Sequence, residues 1–236
     1  MKHVKTIALA AIMTMSGASL WAQGLKDAYK NYFDVGVAIN SRNLSEDQQK
    51  IILDNFCSVT AENEMKPGEV HPQEGVWRWE RADAIANFCR KNNIKMRGHC
   101  LVWHSQFCDW MFTDDKGKEV TKEVFYKRLR EHIHTVVNRY KDIVYCWDVV
   151  NEAMADGNGG GRGWGNRQVS DYRQSRLYNL CGDEFIAKAF EFAHEADPNA
   201  LLFYNDYNAA NPAKRDRIFN MVKKMKDAGV PIHGIG

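Results

Sequence analysis

An amide and a carboxyl stand side by side at the end of an apolar run, Trp147-Asp-Val-Val-Asn151-Glu152. Apolar and aromatic neighbours strip water from a carboxyl and favour its neutral form, so Glu152 suits a general acid near neutral pH. The adjacent Asn151 amide can hold a substrate hydroxyl. Similar groups follow other apolar runs. Glu62, Asn63, Glu64 and Lys66 follow residues 56–60; His99, Trp103, His104 and Gln106 close residues 94–103; Asn205, Asp206, Tyr207 and Asn208 follow residues 201–204. Carboxylates, amides, a Lys and an indole together suit a polyhydroxylated substrate, because amides and charges read hydroxyls and an indole stacks on the apolar face of a sugar ring. Plainer roles stand beside these. Glu62, Glu64 and Lys66 could form a solvated charge run, His99 could be a hydrogen-bonded core histidine, and the aromatic residues could fill the core.

Other chemistries lack their spacing. His132-x-His134 puts two rings on different helix faces, and His194-Glu195 lacks the second His of H-E-x-x-H, so no metal is expected. The Gly-rich stretch 157–165 fails the G-x-G-x-x-G spacing and no G-K-[ST] occurs, so no nucleotide cofactor is implied. The long stretch 153–180 follows a strand end and is expected to form an active-site loop.

The elements that must position these groups alternate. Strands are predicted at 33–39, 56–60, 94–103, 143–150, 201–204 and from Ile232. Helices are predicted at 45–55, opened by a Ser45-x-x-Gln48 capping box, and at 80–91, 121–140, 185–196 and 213–228. In the second helix Ala82, Ile85, Ala86 and Cys89 share one face, and in the third Phe125, Leu129, Ile133, Val136 and Tyr140 do. Strict β-α alternation implies a parallel sheet covered by helices, either doubly wound or closed as a barrel. The absent nucleotide fingerprint and the polar clusters after the strands favour a (β/α)8 barrel, whose chemistry sits at the strands' C-terminal ends. Five βα units and a sixth strand occupy residues 23–236, whereas a full barrel takes roughly 250 residues or more, so the barrel is expected to be incomplete here.

Charge and composition exclude several classes. The chain has 32 Lys+Arg against 30 Asp+Glu. Both surplus positives, Lys2 and Lys5, lie in residues 1–22, where an apolar run from Ile7 to Met15 and small residues ending at Ala22 read as a secretory signal peptide. That run is too short for a membrane span, which needs about 20 apolar residues. The remainder, residues 23–236, is charge-balanced and has no basic run, so neither nucleic acid nor anionic lipid is expected as a partner. A secreted or periplasmic location is expected. The six Cys form no metal or redox spacing, and most are expected to be buried thiols.

Five segments then carry a resemblance: TAENEMKP (60–67), RGHCLVWHSQ (97–106), WDVVNEA (147–153), LFYNDYN (202–208) and HGIG (233–236). In order and rough spacing, from about residue 33 to 236, they resemble glycoside hydrolase family 10, the β-1,4-xylanases. The resemblance implies a retaining endo-1,4-β-xylanase acting on xylan and xylo-oligosaccharides, with no cofactor and no obligate protein partner. It implies that Glu152 is the general acid/base and that Asn151 holds the 2-hydroxyl of the sugar being cleaved. His99, Lys66 and Trp103 would line the same glycone pocket, Glu62, Asn63 and Gln106 would bind the next sugar outward, and Tyr207 and Asn208 would lie towards the aglycone side. The family's nucleophile is a Glu after the seventh strand, at a T-E-L-D-like end that this sequence lacks, so that carboxylate is expected beyond residue 236. A retaining enzyme needs its two carboxyls about 5–5.5 Å apart. The nearby Glu62, Glu64 and Asp206 do not fill that role in the family. Two other possibilities remain open: a non-catalytic glycan-binding remnant, or a β-1,4-glucanase or cellobiosidase on the same scaffold.

Overall fold

The computed structural model describes residues 23–156 and 170–236. The predicted signal peptide and the Gly-rich stretch 157–165 lie outside the described residues. The elements follow in the order α1 (Leu25–Tyr29), β1 (Gly36–Ile39), α2 (Glu46–Asn55), β2 (Ser58–Ala61), α3 (Pro67–Val70), α4 (Glu80–Asn92), β3 (Lys95–Trp103), α5 (Lys122–Tyr140), β4 (Val144–Asn151), α6 (Arg176–Cys181), α7 (Glu184–Ala196), β5 (Leu201–Asn205), α8 (Pro212–Asp227) and β6 (Gly234–Ile235).

All six strands are parallel and pair in chain order from β1 to β6. A doubly wound sheet reverses its strand order at a switch point, and no reversal occurs here. The sheet is six strands of a (β/α)8 barrel wall. β4 is buried along nearly its whole length, as a parallel strand covered on both faces should be. Outside it lie the predicted apolar faces: Ala82, Ile85, Ala86 and Cys89 of α4, joined by Phe88, and the five predicted residues of α5, joined by His132 and Val137. One close approach sets β3 against β4. A Cβ on Gly98 would lie 2.1 Å from the Trp147 ring, so only glycine fits opposite that indole.

Several local expectations need correction. Phe33 stacks on Tyr29 at 5.0 Å and stays outside the sheet, so β1 begins only at Gly36. Ser45 does not cap α2 through the helix backbone; its hydroxyl donates to the Gln48 side-chain oxygen at 2.9 Å. Thr121 and Asn211 do cap: Thr121 accepts from Val124 N at 3.4 Å, and Asn211 from Ala213 N at 3.1 Å and Lys214 N at 3.3 Å. β6 is only two residues long.

The six cysteines are free thiols, with Cys57 half-buried and the others buried. Burial pushes Cys89 up to about 12, so it stays protonated and inert. His132 is buried, its Nδ1 3.2 Å from His71 Nδ1, whereas His134 faces Glu195 at 3.2 Å on another side of α5. Among the described residues no helix is long and apolar enough to cross a membrane, and no three His, Cys, Asp or Glu side chains are grouped to hold a metal ion.

Candidate active site

The β3–β4 register brings Trp103 opposite Asn151 and His99 opposite Asp148. β4 ends at Asn151, and the backbone turns left-handed at Glu152, with φ of 57°. The Glu152 N–H donates to Asn205 O at 2.9 Å, which extends the β5 contact one residue past β4. At the side chain, the Trp103 indole N–H donates to Oε2 at 3.0 Å, and the Asn151 amide lies 3.4 Å from Oε1. The Asn151 amide has two hydrogen-bonded orientations. In one its oxygen accepts from Asn205 Nδ2 at 2.8 Å; turned over, it accepts from Trp103 Nε1 at 3.2 Å and donates to Asn205 O at 3.2 Å. Both hold the amide between β5 and Trp103, beside the Glu152 carboxyl.

A second group adjoins Trp103. Lys66 Nζ sits 4.6 Å from the indole centroid, a cation–π contact, and donates to Asn63 Oδ1 at 2.8 Å. Lys66 is buried and starts α3, with Pro67 in the helix's first turn. Gln106 lies on the 3₁₀ turn His104–Gln106 after β3, and its main-chain oxygen would sit 3.2 Å from a Cβ on Gly68, so α3 and this turn are in close contact. Glu62 is exposed and accepts from Asn40 Nδ2 at 3.3 Å. Glu64 is turned away into structural work. Its carboxylate accepts from Ser41 N at 2.8 Å, Asn63 N at 3.2 Å and Arg81 at 3.1 Å. Burial alone would raise this carboxyl, but the backbone donors of Ser41 and Asn63 outweigh it and hold it below its ordinary range.

His99 is fixed from behind. Its Nδ1 lies 2.9 Å from Asp148 Oδ2, and Arg97 reaches Oδ1 of the same carboxylate at 2.7 Å. Asp148 is 5 % exposed, so its charge is matched inside the wall and its carboxylate orients the imidazole.

On the other side of Glu152, Tyr207 is exposed and donates to Asp156, while Lys214 Nζ lies 3.8 Å from its ring centroid. Asn208 has φ of 56° and lines a polar cleft of about 320 Å³ with Asp156, Asn211 and Lys214. Asp206 does not face Glu152 as a free carboxylate. Its oxygens accept from Tyr204 Oη at 2.5 Å, Tyr207 N at 2.8 Å and Lys214 at 2.7 Å. Burial disfavours charge on Lys214, but Asp156 and Asp206 beside it raise it net. Asp156 is held well below the ordinary carboxylate range, since hydrogen bonds from Lys214, Tyr207 and Arg173 outweigh its burial.

The arrangement therefore sets the Glu152 carboxyl at the strand end with only neutral partners, an indole and an amide. Glu62, Glu64, Asp148, Asp156 and Asp206 all have their own partners. Asp148, Tyr204 and Arg173 have no assigned site role in the sequence. Asp148 carried a signal, a carboxylate inside an apolar strand, which demands buried partners. Arg173 carried none. An apolar cavity of about 310 Å³ between α7 and α8 is a poor competitor, because its charged residues pair off: Asp183 with Lys224 at 2.7 Å, and Glu184 with Lys122 at 2.7 Å.

The model for glycosyl hydrolase family 10 matches residues 24–236. The chain is 68 % identical over 216 residues to an endo-1,4-β-xylanase/feruloyl esterase of Xylanibacter ruminicola, covering 90 % of this chain and 30 % of that protein. It is 45 % identical over 212 residues to endo-1,4-β-xylanase B of Paenibacillus barcinonensis, covering 90 % of this chain and 60 % of the other. Among solved structures, a psychrophilic family 10 endo-β-1,4-xylanase matches with a TM-score of 0.84 at 60 % identity, covering 91 % of this chain and 64 % of that one. The chain thus spans less than two thirds of the length of each of these proteins.

Proposed function

The chain belongs to glycosyl hydrolase family 10, and on that premise we propose that it forms the N-terminal part of a retaining endo-1,4-β-xylanase whose general acid/base is Glu152. The observation that carries this reading is the Glu152 carboxyl at the end of β4, 3.0 Å from the Trp103 indole N–H and beside the Asn151 amide. In the reaction, Glu152 gives its proton to the leaving glycosidic oxygen and later takes one from the attacking water. Asn151 holds the 2-hydroxyl of the sugar being cleaved. His99, oriented by Asp148, and Lys66 and Trp103 bind that same sugar; Glu62, Asn63 and Gln106 bind the next one outward. Tyr207 and Asn208 meet the leaving portion.

The nucleophile is a second carboxylate supplied by polypeptide beyond residue 236. Support comes from Glu64, Asp148, Asp156 and Asp206, whose carboxylates are each held by their own charged or backbone donors. Residues 1–22 act as a signal peptide for a secreted or periplasmic protein, on the evidence of their basic start, short apolar run and small-residue end. Xylan is the partner, and no nucleic acid, membrane or obligate protein is required.

The test is reducing-sugar release by a purified polypeptide that contains residues 23–236 and its natural continuation, on xylan and on soluble cellulose. Turnover of xylan with little on cellulose supports the reading. Preference for cellulose would make the protein a glucanase on this scaffold, and binding of xylan without turnover would make it a glycan-binding remnant.

A further inference from the structure

Beyond Asn151 the chain leaves the sheet, so the backbone of residues 152–155 must find partners without a strand ladder. All eight of its main-chain polar groups do. The Glu152 N–H reaches Asn205 O at 2.9 Å, the Ala153 oxygen accepts from Arg173 N at 2.8 Å, and the Ala155 N–H reaches Asp171 O at 2.9 Å. The Ala155 oxygen accepts from Arg217 Nη2 at 2.8 Å. Two side chains, Tyr204 and Arg173, supply the other half. The N–H groups of Ala153 and Met154 both donate to Tyr204 Oη, at 3.0 and 3.1 Å. Arg173 donates from Nε to Glu152 O at 3.0 Å and from Nη2 to Met154 O at 3.4 Å.

Tyr204 is fully buried, so it does not touch a substrate. Its hydroxyl accepts two N–H bonds and donates one to Asp206 at 2.5 Å, which uses all its hydrogen-bonding capacity. Asp206 is in turn anchored to Lys214 at 2.7 Å, and Lys214 to Asp156 at 2.7 Å. Arg173 closes the circuit by donating to Asp156 at 3.0 Å. A chain of charges, buried at Asp206 and Lys214 and open to solvent at Asp156, thus runs from β5 and α8 to the segment that carries Glu152. That residue keeps φ of 57°, a left-handed conformation that L side chains seldom adopt without external support.

We propose that Tyr204 and Arg173 are positioning residues for Glu152, fixing the backbone after it so that its carboxyl points into the site. The proposal rests on the reading of Glu152 as the proton donor. Without these anchors the segment relaxes to commoner backbone angles, the Cβ of Glu152 swings, and proton delivery suffers while the sugar-binding groups of β2 and β3 stay in place.

The test uses an active polypeptide containing residues 23–236 and its continuation, with Tyr204→Phe and Arg173→Gln made separately. Misplaced proton delivery should lower kcat/KM about ten- to a hundredfold on xylo-oligosaccharides, but less than about threefold on a dinitrophenyl xylobioside, whose leaving group needs no proton. Equal losses on both substrates would overturn the proposal, because they report fewer active molecules or lost binding. Loss of cooperative melting in both variants would overturn it too, since the residues would then serve the fold alone. An unaltered parent that turns over neither substrate would instead defeat the functional reading on which the proposal rests.

Discussion

Replacing Asp148 by Asn tests whether the β3–β4 register builds the sugar pocket from behind. The carboxylate is 5 % exposed and meets Arg97 at 2.7 Å and His99 at 2.9 Å. Removing one partner of a buried pair costs about 3–5 kcal/mol, because the other charge is left unmatched. Two features argue for the lower end. The amide keeps the shape and one acceptor, and the Arg97 side chain is 26 % exposed, so water recovers part of its solvation. About 3 kcal/mol corresponds to a melting temperature lower by about 6–12 °C for a domain of this size. The His99 ring also loses its charged orienting partner, a hydrogen bond whose loss raises KM for xylo-oligosaccharides about tenfold. Calorimetry and steady-state kinetics on an active polypeptide containing residues 23–236 read both effects. Melting within about 2 °C of the parent with unchanged KM would refute the reasoning, since a surface ion pair behaves that way.

Two further outcomes are expected. Residues 23–236 alone will show no xylan turnover and no stable monomer by gel filtration: Glu64, Asp148, Asp156 and Asp206 are held by their own donors, β1 and β6 each pair along only one edge among the described strands, and Phe33 and Phe219 stand exposed; a cooperatively melting monomer whose turnover Glu152→Ala abolishes would contradict this. Burial holds His71 down at about 4 and His132 at about 3, whereas an unfolded His titrates near 6.5. The unfolded chain therefore binds protons that the native state excludes, so stability is complete above about pH 6.5 and falls towards pH 4, by at most ~1.4 kcal/mol per histidine per pH unit. A His71→Gln, His132→Gln double variant should flatten the dependence of melting temperature on pH over that window, and an unchanged slope would exclude the pair as its source.

The β-α alternation was legible because parallel strands here are continuous apolar runs and the helices repeat apolar residues at helical spacing. β4 and α5 were the plainest cases, and both are bounded within about a residue of expectation. The short helices α1, α3 and α6 were not legible, since four to six residues carry too little periodicity. Glu152 and Asn151 stood out because polar residues end an apolar strand. Their supports did not. Tyr204 looks like a core aromatic, and Arg173 lies in an irregular stretch. Tyr204 and Asp148 gain their roles from partners distant in sequence, Ala153 and His99, 51 and 49 positions apart. The partners of Glu64 and Asp206 were hidden for the same reason. Both are polar residues after strands, and only the folded chain reveals the donors that occupy them.

The central claim is that Glu152 moves the proton. In an active polypeptide containing these residues, Glu152→Ala should lower kcat/KM on xylo-oligosaccharides by ~10²–10⁴-fold, the span of general acid catalysis. An aryl xylobioside with a leaving group of low basicity departs without that proton and should lose far less in the same ratio. Equal loss of kcat/KM on the two substrates would contradict the assignment.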